Sequence, residues 1–384
     1  MKSPKISSLQ SISAISIFLF GSTSVLGLNF EAEQDSWIAF LIAIILSLIV
    51  ALLYARIVQL YKSKSLYDIS VHLFGTIIGK IICVIYIWYS LHLGALVIYN
   101  FTIFSGVSLL PETPIIPIIL LILLTSAYLA KSGIESLGKW SMVILPFITI
   151  VVIGSTFAGA DIIEFDNLKP ILEHDAKTLL PISLKIIAFP FAESILFLTI
   201  FDFLDAKSSS YKIYLTSFLI AGGLLLIVVL RNILTLGADL SKYLYFPSYI
   251  TARLINIGDF LSRVETIITA NLFLAGIAKI CVCIISASRG FAKLLNLKDW
   301  NELIIPTSLF MFTFCLLDHS NIMEWYFFAQ IYHIYTAPVL FVIPVIIWIA
   351  AEIKTRKSKS NQDKNKVKVS LKKYKIASSP NSAN

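Results

Sequence analysis

The side chains able to do chemistry fall at a few places in long apolar runs. Ala188-Phe189-Pro190-Phe191-Ala192-Glu193-Ser194 sets a carboxylate three residues after a proline, and Gly21-Ser22-Thr23-Ser24-Val25-Leu26-Gly27 sets small hydroxyls between two glycines. Glu265 and Lys279 are charges in a third run; His92, Tyr99 and Asn100 are polar groups in a fourth. Such groups suit charge recognition. A carboxylate meets an ammonium, and a broken helix offers free N–H groups to an anion and free C=O groups to a cation. No nucleophile–base pair, metal-ligand cluster or glycine-rich phosphate loop accompanies them, so neither enzymatic catalysis nor a cofactor is expected.

The elements that position these groups follow from composition. Of 384 residues, 57% are hydrophobic and only 14% charged, with a mean hydropathy of +0.84, against roughly 25% charged residues in an ordinary soluble domain. The few charges are bunched between long uncharged runs, so most of the surface must face lipid. The reading is an all-α integral membrane protein with ten transmembrane helices, near 9–28, 37–56, 81–104, 114–131, 140–159, 181–202, 212–235, 262–288, 302–318 and 326–351. Residues 1–351 form this transmembrane domain, and 352–384 a basic, disordered cytoplasmic tail.

The net charge of +8 suggests nucleic acid at first sight, but residues 353–384 carry ten Lys/Arg and one acid, Asp363. The rest of the chain is therefore slightly acidic, and the nucleic-acid reading falls. Cys83, Cys281, Cys283 and Cys315 all lie in apolar runs, where they act as small hydrophobes; neither disulfide nor zinc is expected.

Positive loops stay cytoplasmic. With the N-terminus inside, 23 of the 31 Lys/Arg fall on the cytoplasmic side, while the first outer loop (Glu31, Glu33, Asp35) and the second (Glu112) hold none. Both termini are thus expected in the cytoplasm.

Glycines and small hydroxyls loosen span one, and Pro190 removes a backbone donor and clashes with the preceding turn in span six. Breaks five spans apart point to an inverted-repeat transporter with its substrate at the breaks. Glu193, a carboxylate in the membrane interior, must face a cavity, pair with a cation or be protonated; capping a half-helix is the structural alternative. In span eight, Glu265, Thr269, Leu272, Gly276 and Lys279 share one helical face. Glu265 and Lys279 are about 21 Å apart along the helix, so each needs its own partner. Glu193 could compensate a Lys or Arg from a neighbouring span, Lys279 being a candidate if the fold brings the two close, and snorkelling toward an interface would also satisfy Lys279. His92 reads as a hydrogen-bonded packing residue, and the aromatic content as lipid-facing or interfacial bulk.

The stretch TARLINIGDFLSRVETIITANLFLAGIAKI (251–280), with AFPFAES (188–194), resembles the permease-like B subunits of spore germinant receptors, within the amino acid–polyamine–organocation superfamily. Length, short loops and the basic tail agree. The resemblance implies a leucine-transporter-type fold of two inverted five-helix repeats with broken first and sixth helices. It also implies a multi-pass location in the spore inner membrane, a small-molecule germinant, and two partners: a larger membrane A subunit and a lipoprotein C subunit. Carried over by position, Gly21, Ser22 and Thr23 of the first break and Phe189, Pro190, Ala192, Glu193 and Ser194 of the sixth would line the germinant pocket. Independently of the resemblance, the charges of the eighth span, Glu265 and Lys279, are the candidate coupling residues.

The leading function is a receptor subunit that binds a nutrient, an amino acid by expectation, and signals by shifting between conformers. An autonomous amino-acid/proton or cation symporter, using Glu193 or Glu265 as its coupling carboxylate, is the second reading, and a membrane scaffold or channel subunit the third. The charge count yields a direct test. A single cysteine at Glu173 should react with an impermeant thiol reagent from outside and one at Ser360 only from inside; labelling of Ser360→Cys from the outer face would reverse the topology.

Overall fold

The computed structural model describes residues 5–24, 30–205, 207–255, 264–317 and 321–357. Local sequence punctuation sets where each helix starts and stops. Helix α1 (Ser8–Phe20) begins at a capping box: the Ser7 hydroxyl accepts the Gln10 N–H while the Gln10 side chain returns to the Ser7 N–H. Ser65 caps α3 (Leu66–Ser108) and Ser209 caps α7 (Ser210–Tyr243) in the same way on one side, each accepting the N–H three residues on. The remaining helices are α2 (Ser36–Leu60), α4 (Ile115–Lys131), α5 (Ile134–Ala158), α6 (Ala176–Ala188), α8 (Pro247–Leu254), α9 (Val264–Leu295), α10 (Ile304–Leu317) and α11 (Ile322–Ala337). The last continues through a π-helical turn, Pro338–Val342, to Lys357.

Seven helical segments among the described residues are long and apolar enough to cross a membrane, and α4 and α10 are shorter apolar helices. With the interrupted α1 they make the ten expected spans. Several boundaries differ from the sequence reading. Span one is α-helical only to Phe20, with a 3-10 turn at Ser22–Ser24, and Val25–Asn29 lie outside the described residues. The third helix starts at Leu66, fifteen residues before the expected position 81, because its first turns form a separate segment that bends at Gly75 (φ +79°) into the span proper. At Gly79 an added Cβ would stand 2.5 Å from the Val71 backbone, so the bend needs a glycine there as well. The tenth span runs helically to Lys357, past the expected boundary at 351, and the tail 358–384 lies outside the described residues.

The aromatic side chains need a correction. Tyr54, Tyr67, Tyr86, Tyr89, Tyr214, Phe18, Phe101 and Phe191 are all fully buried, so a good part of the expected lipid-facing bulk is core. Lipid removes most of the solvent drive for helix association, so large rings and close packing must hold these spans together.

Each end of the bundle has its own fastening. At one end Ile6 pairs with Leu204 in a short parallel bridge (Ile6 N–H to Phe203 O, 2.9 Å; Asp205 N–H to Ile6 O, 3.1 Å), stapling the start of span one to the end of span six. Start meeting end means the two broken spans run antiparallel, as inverted repeats require. At the other end the buried carboxylate of Asp35 accepts the backbone N–H groups of Leu172 (2.8 Å) and His174 (2.9 Å), clasping the 170–174 loop onto the start of α2. Removing that carboxylate strands two backbone donors, at about 1–3 kcal/mol each. Asp35→Ala should therefore lower the thermal unfolding midpoint of the purified protein measurably, whereas Asp166→Ala, at a side chain 89% exposed, should not.

Candidate functional site

Two interruptions build the centre of the bundle. Helix α1 ends where Gly21 leaves helical geometry, and a Cβ on Gly21 would meet Lys279 Cδ at 3.1 Å. Glycine thus lets the lysine stem of α9 cross the first break. Helix α6 ends at Ala188, and after Phe189-Pro190 the chain resumes as the 3-10 segment Phe191–Thr199, which places Glu193 in its first turn.

There the charges meet. Lys279 Nζ lies 2.5 Å from Glu193 Oε2, and neither side chain has any solvent exposure. The Tyr332 hydroxyl of α11 donates to Glu193 Oε1 at 2.5 Å, and the Tyr89 hydroxyl of α3 lies 3.2 Å from that of Tyr332. Lys279 Nζ also donates to Ser22 Oγ at 3.3 Å and sits over the rings of Phe18 (5.1 Å) and Phe189 (4.9 Å). One ammonium therefore touches the first break, the sixth and two ring faces, each of which lowers its desolvation cost.

The carbonyls freed at the interruptions are also matched. The Tyr54 hydroxyl lies 3.0 Å from Ala192 O and 2.7 Å from Leu340 O, sharing one proton between the sixth-span break and the π-helical turn of the tenth. Tyr86 donates to Val339 O at 3.0 Å, Tyr214 to Ser194 O at 3.4 Å, and Ser24 Oγ to Gly21 O at 3.0 Å. In hydrocarbon an unmatched backbone group costs several kcal/mol, so these hydroxyls are what allow the helices to be broken.

A cavity of about 340 Å³ leads to this centre from the clasped end. Leu93, Leu96 and Asn100 of α3 and Trp325 and Phe328 of α11 form its walls, and Phe189, Tyr332 and Glu193 its floor. Glu31, Lys185 and Lys242 stand at its mouth, where Lys185 bonds both Glu31 oxygens (2.7 and 2.8 Å) and Lys242 reaches Glu33 at 3.1 Å. The volume falls within the range of small-molecule sites.

The residues singled out in the sequence divide into groups. Gly21, Ser22, Phe189, Glu193 and Lys279 converge, and Lys279 has a carboxylate partner where snorkelling was the alternative. Thr23, Pro190, Ala192 and Ser194 are buried in or beside the breaks, with Ala192 and Ser194 tied to tyrosines through their carbonyls and outside the cavity lining. Glu265 is half-buried at the start of α9, 14 residues from Lys279 along the same helix and apart from this cluster. Nor is the span-eight stripe a polar path. Phe101 packs where a Cβ on Gly276 would be, its ring atoms 2.4 Å away. His92 stacks on Trp88 with 5.8 Å between ring centroids, as a packing residue does. Sequence reasoning missed Tyr332, whose hydroxyl is indistinguishable in sequence from its neighbours', and Arg231 of α7, which the rule that found Glu193 and Lys279 would have flagged.

The pair makes a sharp prediction. Removing one partner of a buried ion pair typically costs about 3–5 kcal/mol, while replacing both by uncharged groups is far cheaper. Lys279→Met and Glu193→Ala should each reduce accumulation of folded protein, and the double variant Lys279→Met/Glu193→Gln should recover it. A double variant worse than either single one would show that the two charges do not support each other.

Comparison with known proteins places this arrangement. Residues 5–323 match the spore germination protein family. Spore germination protein KB of Bacillus subtilis (strain 168) is 27% identical over 84% of this chain and 88% of its own length. Spore germination protein XB of Bacillus anthracis is 22% identical over 90% and 98%. Among solved structures, MhsT in complex with L-phenylalanine superposes with a TM-score of 0.63, covering 91% of this chain and 89% of MhsT at 11% identity, which shows a shared leucine-transporter-type fold.

Proposed function

This chain belongs to the spore germination protein family, and from that premise we propose that it is the permease-like B subunit of a spore germinant receptor, binding a small zwitterion of the amino-acid class. The observation that carries the reading is the cavity that ends on Glu193, Phe189 and Tyr332 between the two breaks. A zwitterion arriving there brings an ammonium able to compete for Glu193 and a carboxylate able to compete for Lys279. Its binding would exchange the protein's own ion pair for two ligand pairs. Because Glu193 and Lys279 join the sixth, eighth, first and tenth spans, that exchange alters how those helices hold one another, and a ligand shifts a conformational equilibrium only through such differential contacts.

In this reading the clasped end faces out of the cell and the stapled end the cytoplasm, with both termini inside, in the spore inner membrane. The A and C subunits of the receptor read the change. The fold is a transporter's, which favours a second reading, an amino-acid symporter in which Glu193 exchanges Lys279 for a proton or cation.

Filling the cavity tests the site. Ala329→Trp, at a lining position, should raise the amino-acid concentration needed for half-maximal germination at least tenfold, about 1.4 kcal/mol of binding, with normal accumulation. Leu317→Trp, at an exposed apolar position at the end of α10, should leave it unchanged. A normal response in Ala329→Trp would remove this cavity from germinant binding. Gradient-driven accumulation of a labelled amino acid in vesicles holding this chain alone would favour the symporter.

A further inference from the structure

A second buried charge stands apart from this site. Arg231 lies in α7, 3% exposed, six residues before the bend at Gly237 and so about 9 Å below it along the helix. Its Nη1 donates to Ser155 Oγ of α5 at 2.7 Å, while its Nε has no partner. Among the described residues no carboxylate pairs with it. The fully buried acids among the described residues are engaged elsewhere, Asp35 by Leu172 and His174 and Glu193 by Lys279.

Arg231 faces a small cavity of about 10 Å³, lined also by Ser24 beyond the first break, Ser155, Ser248 of α8 and Asn271 of α9. Asn271 is 2% exposed and its Oδ1 is likewise without a partner. Turning that amide by 180° would present its NH₂ to the cavity instead. The Ser248 hydroxyl accepts from Asn232 Nδ2 at 3.0 Å, which leaves its own proton to give. Around one particle-sized space the chain thus gathers a guanidinium with a spare N–H, an amide able to present NH₂, and a hydroxyl with a free proton. A water there would satisfy hydrogen bonds and leave the charge uncompensated by any described carboxylate, and an arginine charge without a counter-ion at membrane depth costs several kcal/mol. A small anion compensates both.

We infer that Arg231, Ser248 and Asn271, with Ser155 holding the guanidinium in place, form a binding site for a single small monovalent anion, chloride in the cell, wedged between the first break and spans five, seven and eight. The space is about that of one water, so a halide enters with a small outward movement of the walls while sulfate, phosphate and amino acids do not fit, and it shares no lining residue with the large cavity. Its occupant is therefore distinct from the germinant.

The test is thermal unfolding of the purified, detergent-solubilised protein, followed by intrinsic tryptophan fluorescence at constant ionic strength in sodium gluconate, chloride, bromide or formate. Chloride and bromide should raise the midpoint saturably over gluconate, by about 3–5 °C. Arg231→Gln should lose the increment. Asn271→Asp, which supplies a fixed anion, should raise the midpoint in gluconate and also lose the chloride increment, so it carries the test if Arg231→Gln fails to accumulate. No increment in the wild-type protein would mean a bound water only and overturn the proposal. A chloride increment persisting in Asn271→Asp would place the effect elsewhere, and stabilisation by formate but not by halides would make this a carboxylate site.

Discussion

The membrane interior tolerates an unpaired charge poorly, and the Glu193–Lys279 contact is where this protein answers that constraint. The acid needs a cation in reach and the cation needs an acid, so the broken sixth span and the eighth must approach to hydrogen-bonding distance. Lys279 can cross to Glu193 only because Gly21 leaves room for its stem, and its ammonium is held under Phe18 and Phe189 with Ser22 at its side. The first break, the sixth break and the eighth span are in this sense one unit.

Breaking helices in lipid creates a second debt, in backbone carbonyls. It is met by side chains from intact helices: Tyr54 from α2, Tyr86 from α3 and Tyr214 from α7 all send their hydroxyls into interrupted segments. A tyrosine suits this role because its ring packs as core while its hydroxyl reaches across a full ring width to a carbonyl. The same residues therefore serve cohesion between spans and satisfaction of the breaks.

Much of this was legible in the sequence. The spans follow from uncharged length, the sixth break from Pro190, and the two key charges from their cost in an apolar run. The pairing of Lys279 with Glu193 was legible only as a candidate, because spacing along one helix says which residues share a face and nothing about which helix packs against it. The buried tyrosines were missed for a related reason: tyrosine is as common at the lipid interface as in a membrane core, and composition cannot tell the two apart. Residues 66–80 at the start of α3 escaped the hydropathy reading because Asp68, His72 and Lys80 interrupt the apolar run there. The polar stripe on the eighth span failed where a glycine, read as a gap, turned out to be filled by the ring of Phe101. Of the 251–280 stretch that carried the family resemblance, residues 256–263 lie outside the described residues.

The staple at Ile6 has a mechanical consequence. Two backbone hydrogen bonds lock the approach to α1 onto the end of the sixth span, and a few residues away Arg289 of α9 grips Asp202 with both terminal guanidinium nitrogens (2.7 and 2.5 Å). At this end the two broken spans and the eighth are riveted, whereas at the other end, among the described residues, the sixth is fastened by the half-exposed ion pair Lys185–Glu31. Any opening of a body pinned at one end turns about the pin. The bundle is thus geared like a pair of tongs, with its fulcrum at the Ile6 staple and its jaws at the cavity mouth.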